Sequence, residues 1–284
     1  MSGVSHWPAP AKLNLFLHVT GRRADGYHEL QTIFQLIDLC DSLQIAVRAD
    51  GGIARAGEDP GIPAETDLTL RAARALKAAS GTHLGADLRL RKRIPVGGGL
   101  GGGSSDAATA LLALNHLWGC GLTLDELTAL GQPLGADVPV FIQGFSAWGE
   151  GIGERLSPVQ LPERCYLILD PGVAVSTREV FQSPELTRNS PLITIRAFFE
   201  SGGRNDCEDV VCRKVPEVRE ALIWLSRHAP ARLTGTGSCV FASFGRVVDA
   251  ERIAAQVPDR WRAHVARGLN TSPLHALLGH ARSA

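Results

Sequence analysis

The stretch Pro95-Val-Gly-Gly-Gly-Leu-Gly-Gly-Gly-Ser-Ser105 decides how this chain is read. Glycine lets successive backbone N–H groups turn toward one ligand with no side chain in the way. The segment runs into an Ala- and Leu-rich stretch that predicts a helix over Ser104–Trp118, closed by Gly119. That helix is apolar on nearly every face and is therefore expected to be buried. Unpaired N–H groups, backed by the positive end of a helix dipole, make an anion site. Pro95, Val96, Gly97, Gly98, Gly99 and Leu100 are thus candidate nucleotide-phosphate residues, together with Gly101, Gly102, Gly103, Ser104 and Ser105. Ser104 or Ser105 is expected to cap the helix, with one hydroxyl in reach of a phosphate-bound Mg²⁺.

Two better-known phosphate loops do not fit. A Walker A loop needs a lysine, and this loop has none. Gly97, Gly99 and Gly102 match G-x-G-x-x-G, but a Rossmann first strand is buried on both faces. The strand expected here, marked by Leu88, Leu90 and Ile94, carries Arg89 and Arg91 on its other face. Arg91, Lys92 and Arg93 read as a solvated face.

Outward from the loop, Lys12–Val19 alternates with period two and predicts a half-buried strand. Leu13, Leu15, Leu17 and Val19 share one face, and Lys12, Asn14, Phe16 and His18 the other. A turn over Gly21–Gly26, strands over Ile33–Val47 and a polar loop over Asp50–Pro63 follow. Thr66 or Asp67 caps an expected helix, Leu68–Ala79, and Thr123 with Glu126 forms a capping box for a short helix ending at Gly131. In the second half, strands are expected over Cys165–Leu169, Val240–Phe244 and His264–Ala266. Helices are expected over Thr177–Phe181, Val215–His228 and Val248–Gln256, with a second glycine loop at Gly235–Ser238. Gly149, Gly151, Gly153 and Pro158 suggest a boundary near residues 150–160. The fold class is α+β in two lobes, residues 1–155 and 156–284, with the site in the cleft between them.

With 29 Lys+Arg against 29 Asp+Glu and 6% aromatic residues, the chain lacks the basic stripe and exposed aromatics of a nucleic-acid binder. The segment Met1–Pro10 has no basic region followed by an apolar one, and no run is long enough to span a membrane. A cytoplasmic enzyme is expected, without nucleic-acid or membrane partners. Cys40, Cys120, Cys165, Cys207, Cys212 and Cys239 include no C-x-x-C pair and read as free thiols.

Four segments together carry a resemblance. Pro95–Ala108 resembles the second motif of the GHMP superfamily of small-molecule kinases. Pro10-Ala-Lys-Leu-Asn-Leu-Phe-Leu17 and Gly21-Arg-Arg-Ala-Asp-Gly-Tyr-His-Glu-Leu30 resemble the opening of the 4-diphosphocytidyl-2-C-methyl-D-erythritol kinases within it. Gly135-Ala-Asp-Val-Pro-Val-Phe141 is similar to their catalytic segment, and Leu233-Thr-Gly-Thr-Gly-Ser-Cys239 to the third glycine motif. The resemblance implies a fold whose N-terminal lobe is like a ribosomal protein domain. It also implies ATP and Mg²⁺, and transfer of phosphate to the 2-hydroxyl of a cytidine-diphosphate-linked methylerythritol.

Carried over, Asp137 is the catalytic base and Lys12 its partner, a fitting pair for a reaction that is mostly positioning and charge stabilisation. Tyr27 and His28 are implied to hold the cytosine ring, with Phe181 opposite and Thr177 nearby, and Asn14 to hydrogen-bond the substrate. Asp106, in the first helical turn, either assists Mg²⁺ or faces away. Asn205, Asp206 and Glu208 form a charged motif without an assigned chemical role. The residues leave the metal ligands and the oligomeric state undetermined.

Overall fold

The computed structural model describes residues 3–57 and 65–279. The chain opens with two long antiparallel strands, β1 (Ser5–Arg22) and β2 (His28–Arg48), joined by the expected turn. β2 is the spine of the molecule. Its C-terminal half pairs with β4 (Gly85–Arg91), which runs parallel to the short β3 (Ile53–Arg55). The polar loop expected over Asp50–Pro63 falls partly outside the described residues.

On the sheet lie α1 (Leu68–Ser80), α2 (Gly102–Leu117), α3 (Leu124–Gly131) and the short α4 (Val138–Gln143). Leu36, Leu43, Ile45, Leu76, Leu111 and Ile142 close the core between them. Asp67, not Thr66, caps α1 by accepting from the N–H groups of Thr69 and Leu70, and Gly81 ends it with φ +68°. The Thr123–Glu126 capping box is formed. α2 is buried along most of its length, as its composition predicts.

α2 starts two residues before the expected Ser104, and neither serine caps it. Its N-cap is Gly101, whose φ of 72° lies where L side chains rarely go. The chain thus turns into the helix on glycine alone, and Ser104 and Ser105 fall within the first turn.

The boundary expected near residues 150–160 is a hairpin instead. β5 (Ala147–Gly151) and β6 (Arg155–Pro158) pair with each other, and β5 pairs with the N-terminal half of β2. A Cβ on Gly149 would stand 2.6 Å from the Phe34 ring, so this glycine reflects close packing rather than a linker.

The second sheet contains β7 (Cys165–Asp170), then after a run of helices β8 (Ala231–Leu233), β9 (Val240–Phe244) and β10 (Arg262–Leu269). The helices are α5 (Thr177–Gln182), α6 (Ile195–Ser201), α7 (Glu208–Lys214) and α8 (Pro216–Ser226), followed by α9 (Val247–Ala254) and α10 (Pro273–Leu277). β10 pairs with β7 along its length and with β2 at its end, Gly268 opposite Ile37 and Leu269 opposite Leu36. The two sheets are therefore stitched together by the last strand.

This stitching explains why β1 is not half-buried. Leu13, Leu17 and Val19 are buried, but so are Lys12, Asn14, Phe16 and His18, because the second lobe covers the other face. A bulge between Asn14 and Leu17 also shifts the phase of the alternation. All six cysteines are free; Cys207 and Cys239 are buried and the others half-buried. No described helix is long and apolar enough to cross a membrane.

Candidate active site

The glycine loop is held by its carbonyls. Gly97 O accepts from Ser238 N, Gly98 O from Cys239 N, and Leu100 O from Lys12 N. Gly99 O accepts from Thr234 Oγ1 at 3.3 Å and from Lys12 Nζ at 3.1 Å. The donors come from β1 and from the loop leading into β9, so both lobes grip the same segment. Gly99 has φ 74°, and a Cβ there would stand 2.1 Å from Thr234 O, so no other residue fits. With the carbonyls engaged, the N–H groups of Gly99, Leu100 and Gly101 have no acceptor among the described residues. Those of Gly102, Gly103 and Ser104 are first-turn donors of α2, which by helix geometry have no partner within the helix.

The ends of the loop are fixed by a charged cluster that the sequence reading missed. Lys92, expected in a solvated run, is mostly buried. Its Nζ bonds Asp41 on β2 and Asp106 on α2, the latter at 2.7 Å. Asp41 also accepts from the N–H groups of Arg93 and Ile94. One cation thus ties the segment entering the loop to the helix leaving it. Asp106 bonds Lys92 in this cluster and also lines a cavity beside the glycine loop. Its Oδ1 is buried without a hydrogen bond. Burial pushes the carboxyl up to about 7, against the pull of Lys92 and with the repulsion of Asp41.

Lys12, on β1, is buried, and its ammonium meets three acceptors. It bonds Asn14 Oδ1 at 2.6 Å and Gly99 O at 3.1 Å, and pairs with Asp137 Oδ2 at 3.1 Å. An ammonium has three protons, so the set is complete and the side chain cannot swing. Asp137 occupies the N-cap position of α4, yet its side chain makes no capping bond and turns to Lys12 instead. About a third of that side chain stays exposed, opening onto the cleft. Asn14 Nδ2 donates to Thr32 Oγ1, and the Asn14 N–H donates to Thr234 Oγ1.

The cleft itself has a volume of ≈ 810 Å³. Lys12, Asn14, Gly97, Gly99, Ser104 and Asp137 line one end. Tyr27, His28, Thr177 and Phe181 line the other, so the structure brings the two sets into one cavity. A second cavity of ≈ 330 Å³ is lined by the loop itself, Pro95 through Ser104, with Asp67, Lys92 and Asp106. Ser105 reaches neither cavity; its Oγ is buried without a partner, and its N–H bonds Gly101 O.

At the far end, the His28 and Phe181 rings stack on each other with centroids 5.2 Å apart and an interplanar angle of 27°. Tyr27 is 61% exposed, with its ring at the rim. Thr177 Oγ1 shares a hydrogen bond with Thr236 Oγ1 at 2.8 Å. Arg188, absent from the sequence-based set, also lines this end and donates from Nε to His28 Nε2 at 3.1 Å. Burial, with the charges of Arg188 and Arg22, pulls the His28 pKa below its usual value.

The charged motif after α6 braces the second glycine loop, Gly235–Ser238. Asn205 Nδ2 donates to Leu233 O and Gly235 O, and Glu208 Oε2 accepts from Leu233 N. Asp206 accepts from the N–H of Val19, from Ser190 Oγ and from Arg204. Among the described residues no group of three His, Cys, Asp or Glu is placed to hold a metal ion. Mg²⁺ is commonly held by one or two carboxylates together with phosphate oxygens and water. Asp137 and the Ser104 hydroxyl, which has no hydrogen-bond partner among the described residues, are the side chains in the cleft that suit it.

Comparison with known proteins identifies the fold and the family. Residues 67–145 match the GHMP kinases N terminal domain and residues 185–263 the GHMP kinases C terminal domain, so the two-lobed fold is that of a GHMP kinase. A homoserine kinase from Cytophaga hutchinsonii shares the fold at 17% identity, with TM-score 0.68 over 96% of each chain. The 4-diphosphocytidyl-2-C-methyl-D-erythritol kinase of Halorhodospira halophila is 54% identical over 99% of both chains. That of Pseudomonas paraeruginosa is 55% identical over 95% of this chain and 96% of its own. A crystal structure of a 4-(cytidine 5'-diphospho)-2C-methyl-D-erythritol kinase matches at 35% identity and TM-score 0.83, covering 93% of this chain and 99% of that one. The chain belongs to this kinase family, and as a GHMP kinase it uses ATP.

Proposed function

We propose that the chain transfers the terminal phosphoryl group of Mg²⁺-ATP to the 2-hydroxyl of 4-diphosphocytidyl-2-C-methyl-D-erythritol, yielding the 2-phosphate and ADP. The observation that carries this reading is the Lys12–Asp137 pair at 3.1 Å, set in one cleft between the glycine loop and the His28–Phe181 stack. The lobe built on β1, β2, β4 and α1 to α4 holds the nucleotide, and the lobe that starts at β7 completes the alcohol's end.

The N–H groups from Gly99 to Ser104 bind the phosphates, helped by the α2 dipole. Mg²⁺ would be carried on those phosphates beside the Ser104 hydroxyl and would offset their charge. Asp137 accepts the 2-hydroxyl proton as that oxygen bonds to the γ-phosphorus and the bond to the β-phosphate oxygen breaks. Lys12 orients the carboxylate and offsets charge on the group in transit. Asn14 holds the alcohol beside Asp137. Tyr27, His28 and Phe181 hold the cytosine, with Thr177 closing that side.

An assay of ATP consumption tests this reading with three alcohols: the cytidine-diphosphate-linked methylerythritol, mevalonate and homoserine. Turnover is expected with the first alone. A chain that ignores the first compound, or prefers either of the others, does not have this function.

A further inference from the structure

Arg188 follows α5 at the edge of the cleft, and its guanidinium is pinned from behind. Nη1 donates to Leu186 O at 3.1 Å, and Nη2 donates to Phe181 O at 3.0 Å and to Ser183 O at 2.7 Å. The one direction left is forward, where Nε reaches His28 Nε2 at 3.1 Å. His28 begins β2 in the first lobe, whereas Arg188 belongs to the second, so the contact crosses the cleft. The same turn supplies the Phe181 ring that stacks on the imidazole. Ring plane and hydrogen bond are thus set together.

We infer that Arg188 is a specificity-determining positioning residue: by occupying the Nε2 lone pair of His28, it makes that imidazole a hydrogen-bond donor at Nδ1 toward the pyrimidine. The inference rests on the reading that the cytidine sits at this end of the cleft. A guanidinium donates only and does not lose its proton, so Nε2 must be the accepting nitrogen. A neutral imidazole whose Nε2 accepts carries its proton on Nδ1. Two neighbouring arginines, Arg188 and Arg22, disfavour the doubly protonated form. No described group accepts from Nδ1, which leaves that donor for a ligand.

Pyrimidines differ at the position such a donor reads. Cytosine N3 is an acceptor, whereas uracil N3 carries a proton. A fixed Nδ1–H pairs with the first and is left facing another donor with the second, and unpaired donors are costly in a desolvated site. Without Arg188, His28 is free to take the opposite tautomer and accept from uracil.

The test joins a spectroscopic and a binding measurement on the full chain. Imidazole ¹⁵N shifts at neutral pH, assigned with His28→Gln, report the tautomer without ligand, and titration with CDP and UDP reports base selectivity. Wild-type protein is expected to show His28 protonated at Nδ1 and to prefer CDP. Arg188→Met is expected to move the proton to Nε2 and to narrow the CDP preference by about tenfold, leaving ATP affinity unchanged. Arg188→Lys, which keeps a cationic donor, is expected to restore part of the preference. A wild-type His28 protonated at Nε2 overturns the inference before any variant is made. So does an Arg188→Met protein that selects CDP as sharply as wild type. Failure to phosphorylate the cytidine-linked alcohol, with CDP still selected, sinks the proposed reaction and leaves the role of Arg188 intact.

Discussion

At the glycine-loop end of the cleft, backbone groups are the free donors and buried charges fix the backbone. The base end is assembled from side chains of both lobes, with one ring half in solvent. The glycine loop offers N–H groups because its carbonyls are bonded to β1 and to the 234–239 loop, and because the Asp41–Lys92–Asp106 cluster ties its two ends together. The base end has His28 stacked on Phe181, braced by Arg188, beside an exposed Tyr27. The contrast suits the ligands. On the proposed reading a triphosphate would be met by a fixed array of donors, and a flat base by stacking and a few directional bonds.

The sharpest way to break this contrast is at the carboxylate beside the glycine loop. Asp137→Ala is expected to lower kcat by about a thousandfold or more, with the KM for ATP within about twofold of wild type. Steady-state kinetics read both, and near-normal turnover removes Asp137 from the reaction.

Next comes the brace of the phosphate end. Lys92→Met leaves two buried carboxylates without their cation and is expected to cost about 3–5 kcal/mol in a urea titration. Lys92→Arg should retain most of that stability. A methionine variant as stable as wild type means that the cluster does not hold the loop.

Phe181→Leu tests the other end. Loss of the stack is expected to raise KM for the cytidine-linked substrate by up to about tenfold, while the KM for ATP stays the same. Equal changes in both constants would mean that the two ends are not separable.

The smallest effect is a pH dependence. Unfolded Asp titrates near 3.9, and folded Asp106 is pushed up to about 7. The folded protein therefore holds this proton more tightly, and ionising Asp106 costs stability as pH rises from about 4 to about 7. Asp106→Asn removes that cost, so its melting temperature relative to wild type should climb by about 3 °C or more between pH 5 and pH 8. A difference that stays flat across that range contradicts the shift.

The same contrast governs what could be read from the residues alone. Gly97, Gly99 and Gly101 have left-handed φ angles that only glycine adopts freely, so the loop's backbone demand is written in its composition. The helix start at Thr66 or Asp67, the Thr123–Glu126 box and the strand over residues 12–19 are local and were legible, though the burial of both faces of that strand was not. Lys92 was not, because in an Arg-Lys-Arg run it looks like any solvated cation, and its partner Asp41 lies 51 residues away. Arg188 and His28 are 160 residues apart, and no spacing rule pairs them. The start of α2 and the β5–β6 hairpin were misjudged for a related reason. In both, glycine serves a turn or a tight contact, where composition suggests a cap or a linker.

The most direct test is a crystal structure of the full chain with a non-hydrolysable ATP analogue, Mg²⁺ and the cytidine-diphosphate-linked methylerythritol. The account predicts phosphate oxygens within hydrogen-bond distance of the N–H groups between Gly99 and Ser104, and the 2-hydroxyl beside Asp137 with its oxygen facing the γ-phosphorus. A triphosphate bound away from that loop, or a different hydroxyl against Asp137, would contradict it.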